Sequence, residues 1–363
     1  MSLIGVRVLD FTRVLAGPLA TMILGDLGAE VIKIERPGAG DDSRSWGPPF
    51  DDRGESAYYL SCNRNKLSVG ADLNEPADVR FLGELAAGAD VIVENFLPGT
   101  LERYGFDPAQ LLAAHPNLIW CTITGFGADS IRPGYDYVVQ AESGWMSITG
   151  EVGRAPMKVG VALADVIAGK DAAIAILAAL AGTRRGTAVE RRVFVSLYHS
   201  AVGALVNVAQ NALVTGSDAV RWGNAHPNLV PYELFPASDR DVVIAVGSDA
   251  QFAALVQTLD LPALAGSRFS TNAGRVLHRD EVVAALRACF ATQPAAHWIL
   301  LLDRAGVPCG VVRSVLEALA EVSASALTGV APLAPGTIRR APPTLDEHGA
   351  LVRARGWDAF TAI

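Results

Sequence analysis

Short, largely apolar runs recur along the first 200 residues, several of them followed by a longer segment rich in Ala, Leu and Ile. Val6–Phe11, Glu30–Glu35, Leu67–Ala71, Asp90–Glu94, Leu118–Thr124 and Arg192–Ser196 have the length and the β-branched content of strands. Gly17–Gly25, Asp78–Ala87, Asp171–Ala181 and Leu197–Leu213 have the composition of helices. Strands that are apolar at nearly every position are buried on both faces, and strands alternating with helices build parallel βαβ units. The predicted fold class is therefore α/β. Further on, one strand, Val242–Val246, and the amphipathic segments Arg279–Phe290 and Ala295–Ala305 predict a second, smaller α/β domain, reached through the turn-rich linker Gly223–Asn228. The proline-rich stretch from Ala331 reads as extended chain that returns to the first domain and closes in a helix near Leu351.

Chemistry enters this pattern at Asp165. The run Val159–Leu163 predicts a strand-like segment that delivers the carboxylate ahead of the Asp171–Ala181 helix. The positive end of a helix dipole favours an ionised carboxylate, and such a carboxylate can attack an acyl carbon. Asp is equally a common helix N-cap, and on this stretch alone both readings stand. The turn Thr12–Pro18 lacks the G-x-G-x-x-G fingerprint, so the acidic Glu35 at the end of the second strand does not make a nicotinamide site. The glycine-rich segment Arg36–Arg44, bracketed by two arginines, is either an anion-binding loop or an ordinary surface loop, and Arg64–Lys66 is a second basic cluster. Asn95, Phe96 and, one turn on, Arg103 follow the fourth strand at its carboxyl end, where open parallel sheets gather ligands. Tyr135, Asp136 and Gln140 sit among apolar residues in Pro133–Gly144, as a core network or as contacts to a reacting group.

Composition narrows the class. Half of the 363 residues are apolar, 19% are charged and 35 are Gly, which suits a well-buried enzyme of one or two domains. A net charge of −8 argues against nucleic-acid or anionic-membrane partners, so an anionic ligand needs a local cluster of cations. Cys62, Cys121, Cys289 and Cys309 are widely spaced and read as free thiols of a reducing compartment. The N-terminus lacks the order of a signal peptide and no apolar run reaches the length of a span, so a soluble, cytoplasmic protein is expected. The six histidines fall in no metal-ligand spacing, and neither a G-x-S-x-G elbow nor a Walker loop occurs, so no metal is expected.

Five segments, in order, carry a resemblance that covers nearly the whole chain. They are R-V-L-D-F-T-R-V-L-A-G-P (Arg7–Pro18), L-G-A-E-V-I-K-I-E-R-P-G-A-G-D (Leu27–Asp41), V-E-N-F-L-P-G-T-L-E-R-Y-G (Val93–Gly105), P-G-Y-D-Y-V-V-Q-A-E-S-G (Pro133–Gly144) and the stretch around Asp165. Together they resemble the family III CoA-transferases, the CaiB/BaiF family, which includes formyl-CoA transferase and the α-methylacyl-CoA racemases. The resemblance implies a Rossmann-like large domain formed by both chain ends (1–222 and 326–363) and a small domain between them (223–325). It also implies a homodimer of two interlocked chains. As implied, CoA passes between small carboxylic acids through an aspartyl anhydride and an aspartyl-CoA thioester on Asp165, with acyl-CoA as substrate and no tightly bound cofactor. Val14, Arg36, Lys66, Asn95, Phe96 and Arg103 fall where the family grips CoA, and Leu15, Tyr135, Asp136 and Gln140 where it shapes the acyl pocket. The alternative is a 2-methylacyl-CoA racemase acting by α-proton exchange. The racemase branch carries a His where this chain has Tyr135, and a neutral phenol with a pKa near ~10 is a poor base.

Overall fold

The computed structural model describes residues 1–187 and 190–363. In the larger part of the chain β1 (Arg7–Asp10), α1 (Ala16–Asp26), β2 (Glu30–Glu35), α2 (Ala57–Leu60), β3 (Lys66–Gly70), α3 (Pro76–Ala87), β4 (Val91–Glu94), α4 (Pro108–Ala114) and β5 (Ile119–Thr124) follow one another. Then come α5 (Asp136–Glu142), α6 (Trp145–Ile148), α7 (Leu163–Arg184), β6 (Arg192–Ser196), α8 (Leu197–Gly203) and α9 (Val206–Thr215). The six strands form one parallel sheet in the order β3-β2-β1-β4-β5-β6. The order reverses between β1 and β4, and the crevice beyond their carboxyl ends is where a doubly wound sheet takes its ligand.

The continuous apolar runs are explained by burial on both faces. Val8, Val31, Val91 and Cys121 face one core with α1 and α7; Leu9, Ile32, Leu67 and Trp120 face another. That second core is closed by the chain's end, where Val352, Trp357 and Phe360 pack and Trp357 Nε1 donates to the Leu85 carbonyl at 3.0 Å. The tail is pinned earlier too, because Asp346 accepts from the Gly70 amide at 2.7 Å.

Contact clustering divides the chain into two compact units. One comprises Met1–Met146, Lys158–Asp218 and Val322–Ile363, the other Ser147–Met157 and Ala219–Glu321. The second therefore takes in a piece of chain far from the expected 223–325, and the Arg221 guanidinium ties that piece down by donating to the carbonyls of Ser147 (3.3 Å) and Arg154 (2.8 Å). Its sheet has three antiparallel strands, β7 (Tyr232–Pro236), β8 (Asp241–Ala245) and, beyond α10 (Asp249–Thr258), α11 (Asn272–Leu277), α12 (Arg279–Phe290) and α13 (Ala295–Arg304), β9 (Cys309–Val311). Sequence pattern predicts β8 alone. The two missed strands are sheet edges, one ending in Pro236 and the other three residues long with a central Gly310, and neither carries a buried-strand signature.

Two further expectations change. The Leu197–Leu213 helix is broken at Ala204–Leu205 into α8 and α9. Residues 159–162 are irregular chain that turns sharply, the Leu163 amide donating to the Val161 carbonyl at 2.8 Å, rather than a strand, and the helix that follows starts at Leu163 and runs 22 residues. Its small residues explain the length: Ala164, Ala168, Gly169 and Ala172 are buried where α7 lies against α1. A methyl group on Gly169 would stand 2.6 Å from the Ala16 carbonyl oxygen. Gly169→Ala improves helix propensity by about 1 kcal/mol, yet it should lower stability by about 1–3 kcal/mol net because the two backbones must separate. Urea denaturation checks this, and a raised midpoint contradicts it.

Candidate active site

Asp165 is the third residue of α7, in its first turn. The cap reading does not hold, since the N-cap position is Ala162 and the capping carboxylate comes from elsewhere: Asp136 Oδ1 accepts from the Ala164 amide at 2.9 Å. Gln140, one turn along α5, donates to Asp136 Oδ2 (2.7 Å) and to the Val161 carbonyl (3.2 Å), and accepts from the Val159 amide (2.8 Å). Asp136 and Gln140 thus sew the approach to α7 onto α5. They are the core network that the sequence allowed, behind the wall of the cavity rather than in it, which corrects their assignment as pocket residues.

A cavity of about 240 Å³ opens over Asp165. Val14, Leu15 and Ala16 line it from the turn after β1, Asn95 and Phe96 from the end of β4, and Tyr135 from the start of α5. Gly125 after β5 and Gly134 before α5 form part of its wall, and their backbones touch, so that a Cβ on Gly134 would lie 2.1 Å from the Gly125 Cα. Arg13 and Arg132 also reach the cavity, stacked on Phe96 (4.8 Å) and Phe126 (4.0 Å). A second cavity of about 340 Å³, lined by Ile34, Arg36, Leu73, Asn74 and Tyr104, shares Arg13, Phe96 and Leu97 with the first. Leu73 and Asn74 were missed by sequence reading, although they follow β3 at its carboxyl end as Asn95 follows β4.

The basic residues separate. Arg36 is exposed and pairs with Asp42. Arg44, the other bracket of the glycine-rich loop, is buried and binds Glu35 at 2.7 Å and Glu55 at 2.7 Å. Arg103 is exposed outside both cavities, donating to the Gly99 carbonyl at 3.1 Å. Lys66 corrects the expectation of a CoA contact. It is fully buried, and its ammonium donates to Asp10 Oδ2 (3.1 Å), the Pro18 carbonyl (2.9 Å) and Asn63 Oδ1 (2.9 Å). Those three acceptors use all three of its hydrogens, so no proton is left for a phosphate.

Burial pushes the Asp165 carboxyl up to about 7, the neighbouring Asp136 carboxylate adds to the rise, and the Ala16 amide opposes it. The helix terminus therefore does not hold Asp165 ionised at acidic pH, because desolvation and a like charge outweigh it. Tyr58, on α2, faces the same carboxylate: burial first and then Asp165 raise its phenol, which stays a proton donor. No motif marked Tyr58, since a four-residue helix brings it in. Among the described residues no three His, Cys, Asp or Glu side chains form a metal-binding group.

Replacing Asp136 by Asn removes the like charge while keeping an acceptor for the Ala164 amide, so the Asp165 titration should fall by about one unit. Carbon-13 NMR of the Asp165 carboxyl measures it. The linkage has a definite sign. A carboxyl whose pKa is higher folded than unfolded holds its proton in the native state between about pH 4 and 7, so its stability contribution is complete at low pH and lost as pH rises through 7. Asp165→Asn should accordingly raise the melting temperature at pH 8 and change it little near pH 4; equal effects at both would contradict the assignment.

Residues 3–350 match the family described as CoA-transferase family III. The chain is 46% identical over 321 residues to succinyl-CoA:glutarate CoA-transferase of Mus musculus, covering 87% of this chain and 73% of that one. It is 40% identical over 326 residues to succinate–glutarate CoA-transferase of Agrobacterium fabrum (strain C58), covering 87% and 81%. A crystal structure of a CaiB/BaiF family protein from Brucella suis superposes with a TM-score of 0.85 at 38% identity, covering 97% of this chain and 98% of that one. Sequence similarity, fold and the full run of motifs agree along nearly the whole length, and the chain belongs to the CoA-transferases of family III.

Proposed function

We propose that this CoA-transferase moves CoA between small carboxylic acids, short dicarboxylic acids among them, through covalent intermediates on Asp165. The observation that carries the reading is the placement of one carboxyl, titrating near 7, at the floor of a cleft between two helix N-termini. In the first step the Asp165 carboxylate attacks the thioester carbonyl, forming a mixed anhydride and expelling CoA as thiolate. The thiolate attacks the Asp165 carbonyl, giving an aspartyl-CoA thioester and releasing the first acid as its carboxylate. The incoming carboxylate attacks that thioester, and the returning thiolate completes the exchange on the new acyl group, restoring Asp165. Each half divides a difficult displacement between two activated acyl species.

The dicarboxylate choice is supported by the names of the relatives and by Arg13, whose forked donors at the cavity suit a second carboxylate, while Arg132 already binds Glu142 through both its terminal nitrogens (2.6 and 3.1 Å). Val14, Asn95 and Phe96 with Arg36 are the proposed contacts for CoA, and Arg103, outside both cavities, is not among them. Phe96 offers a face for stacking in the wall that both cavities share. Racemisation would need a base for the α-proton, and among the described residues no histidine lines the cavity. The four cysteines, all free thiols, support a cytoplasmic setting, and among the described residues no helix is long and apolar enough to cross a membrane.

An interlocked homodimer belongs to the same reading. Every residue of α9 keeps solvent exposure within the chain, including Val206 at 68%, Leu213 at 78% and Val214 at 75%, which suits burial against a second copy. Light scattering should return twice the chain mass; a monomer would remove this part of the proposal.

The function is tested by one incubation in heavy water with succinyl-CoA, a 2-methylacyl-CoA and a panel of carboxylic acids, read by mass spectrometry. New CoA thioesters are expected, reduced at least about a thousand-fold in Asp165→Ala. Undiminished transfer by that variant would overturn the nucleophile, and α-deuterium without new thioesters would establish the racemase instead.

A further inference from the structure

The turn Thr12–Arg13–Val14 carries β1 into α1 and forms one wall of the Asp165 cavity. Its backbone is held almost entirely by side chains from other elements. Asn95 grips both sides of Arg13, accepting from its amide (3.0 Å) and donating to its carbonyl (2.8 Å). Asp10 accepts from the Thr12 amide (2.9 Å). Lys33 Nζ donates to the Thr12 carbonyl (2.7 Å), and Asp41 accepts from the Val14 amide (3.1 Å). Lys33 and Asp41 are joined by a 2.9 Å ion pair whose side chains are 0% and 1% exposed. One ion pair thus holds the carbonyl before Arg13 and the amide after it.

That grip has work to do. Val14 stands at φ +74°, a conformation that a β-branched residue adopts only when its surroundings impose it. Neither residue lines the Asp165 cavity, although Asp41 borders the adjoining second one, and a buried ion pair adds little net stability over a well-packed apolar pair. What the pair does determine is where α1 begins. Among the described residues α1 has no side-chain N-cap, so the direction of its first amides follows from the turn before it, and one of them, Ala16 N–H, acts on Asp165.

The geometry points to Lys33 and Asp41 as positioning residues of the transfer reaction: as one clamp they hold the Thr12–Val14 turn in a conformation it would not keep unaided, and so set the Ala16 amide against Asp165. This rests on the reading of Asp165 as nucleophile. Asp136 on α5 and Tyr58 on α2 face Asp165 and are left in place when the clamp is removed, as are Asp42, Arg132 and Tyr135 in the cavity wall; Arg13, in the turn itself, withdraws its cation with the turn and so acts in the same direction as loss of the amide. Loosening the turn withdraws a donor from the charged form of Asp165, so the carboxyl keeps its proton to higher pH. Loss of the Asp41 charge by itself, with the turn unmoved, acts with the opposite sign, because a negative charge has gone. The direction of the shift therefore separates positioning from plain electrostatics.

The experiment compares the native enzyme with Asp41→Asn and with the double variant Lys33→Met/Asp41→Leu, which removes both charges together and so leaves no buried charge unpaired if Asp41→Asn fails to fold. Transfer kinetics are taken from about pH 5 to 9, well below the melting temperature of each. The clamp predicts that kcat at neutral pH falls about 10- to 100-fold and that the acid limb of kcat moves upward by about half a unit or more. An acid limb that stays put or moves down in the folded variants, or a kcat loss that merely follows loss of folded protein, overturns the inference. A native profile without a limb near 7 overturns the reading of Asp165 itself, and this inference falls with it.

Discussion

Gly169 lies so close to the carbonyl of Ala16 that no side chain fits between them, and this approach of α7 to α1 brings the starts of both helices to one spot above the sheet. Helix N-termini present unpaired amides, and two of them converging make a site for a developing negative charge. The sheet supplies the place. Its order reverses between β1 and β4, so the turn after β1 and the turn after β4 are neighbours across an open crevice, and Asn95 reaches over to hold the Arg13 backbone. Had a larger residue stood at position 169, the carboxylate and the Ala16 amide would part even with every site residue present.

Within that frame the site is under electrostatic tension. Asp165 is pushed toward its protonated form by burial and by Asp136, while Asp136 is also what caps the helix that carries it. One carboxylate thus orients the other and raises its pKa. A carboxyl titrating near 7 is partly ionised at neutral pH and more basic than an ordinary aspartate, which suits the role of nucleophile proposed for it. The buried charges Lys33 with Asp41 and Lys66 with Asp10 do not line the Asp165 cavity, and their hydrogen bonds go to the backbone around the turn: Lys33 to the Thr12 carbonyl, Lys66 to that of Pro18, Asp41 to the Val14 amide.

Legibility differed by kind of residue. The strands of the parallel sheet were readable to within about a residue because burial on both faces demands continuous apolar runs. The edge strands β7 and β9 left no such trace. Asn95 and Phe96 were visible as candidate site residues because motif and strand end coincide at them, and Asp165 because one carboxylate stands before an alanine-rich segment. Lys66 was misread for a physical reason: a lysine two residues from an arginine reads as part of a basic cluster for an anion, and only the packing of Asp10, Asn63 and Pro18 around its ammonium shows it spent inside. Tyr58, Leu73 and Asn74 lie near no distinctive pattern and enter through the folding of short connections.

The order of apolar runs, the run of motifs and the single carboxylate ahead of an alanine-rich helix are properties of the chain itself, and they were enough for the α/β class, the family and the residue proposed as nucleophile. Which polar side chains face the cavity and which are consumed in holding it was decided by tertiary structure. Asp136, Gln140 and Lys66 are as polar as Arg13 and Tyr135, and what separates them is whether their donors and acceptors meet partners from distant segments. A hydrogen-bond partner, like the burial that moves the Asp165 pKa, is a relation between residues that only the fold brings within reach.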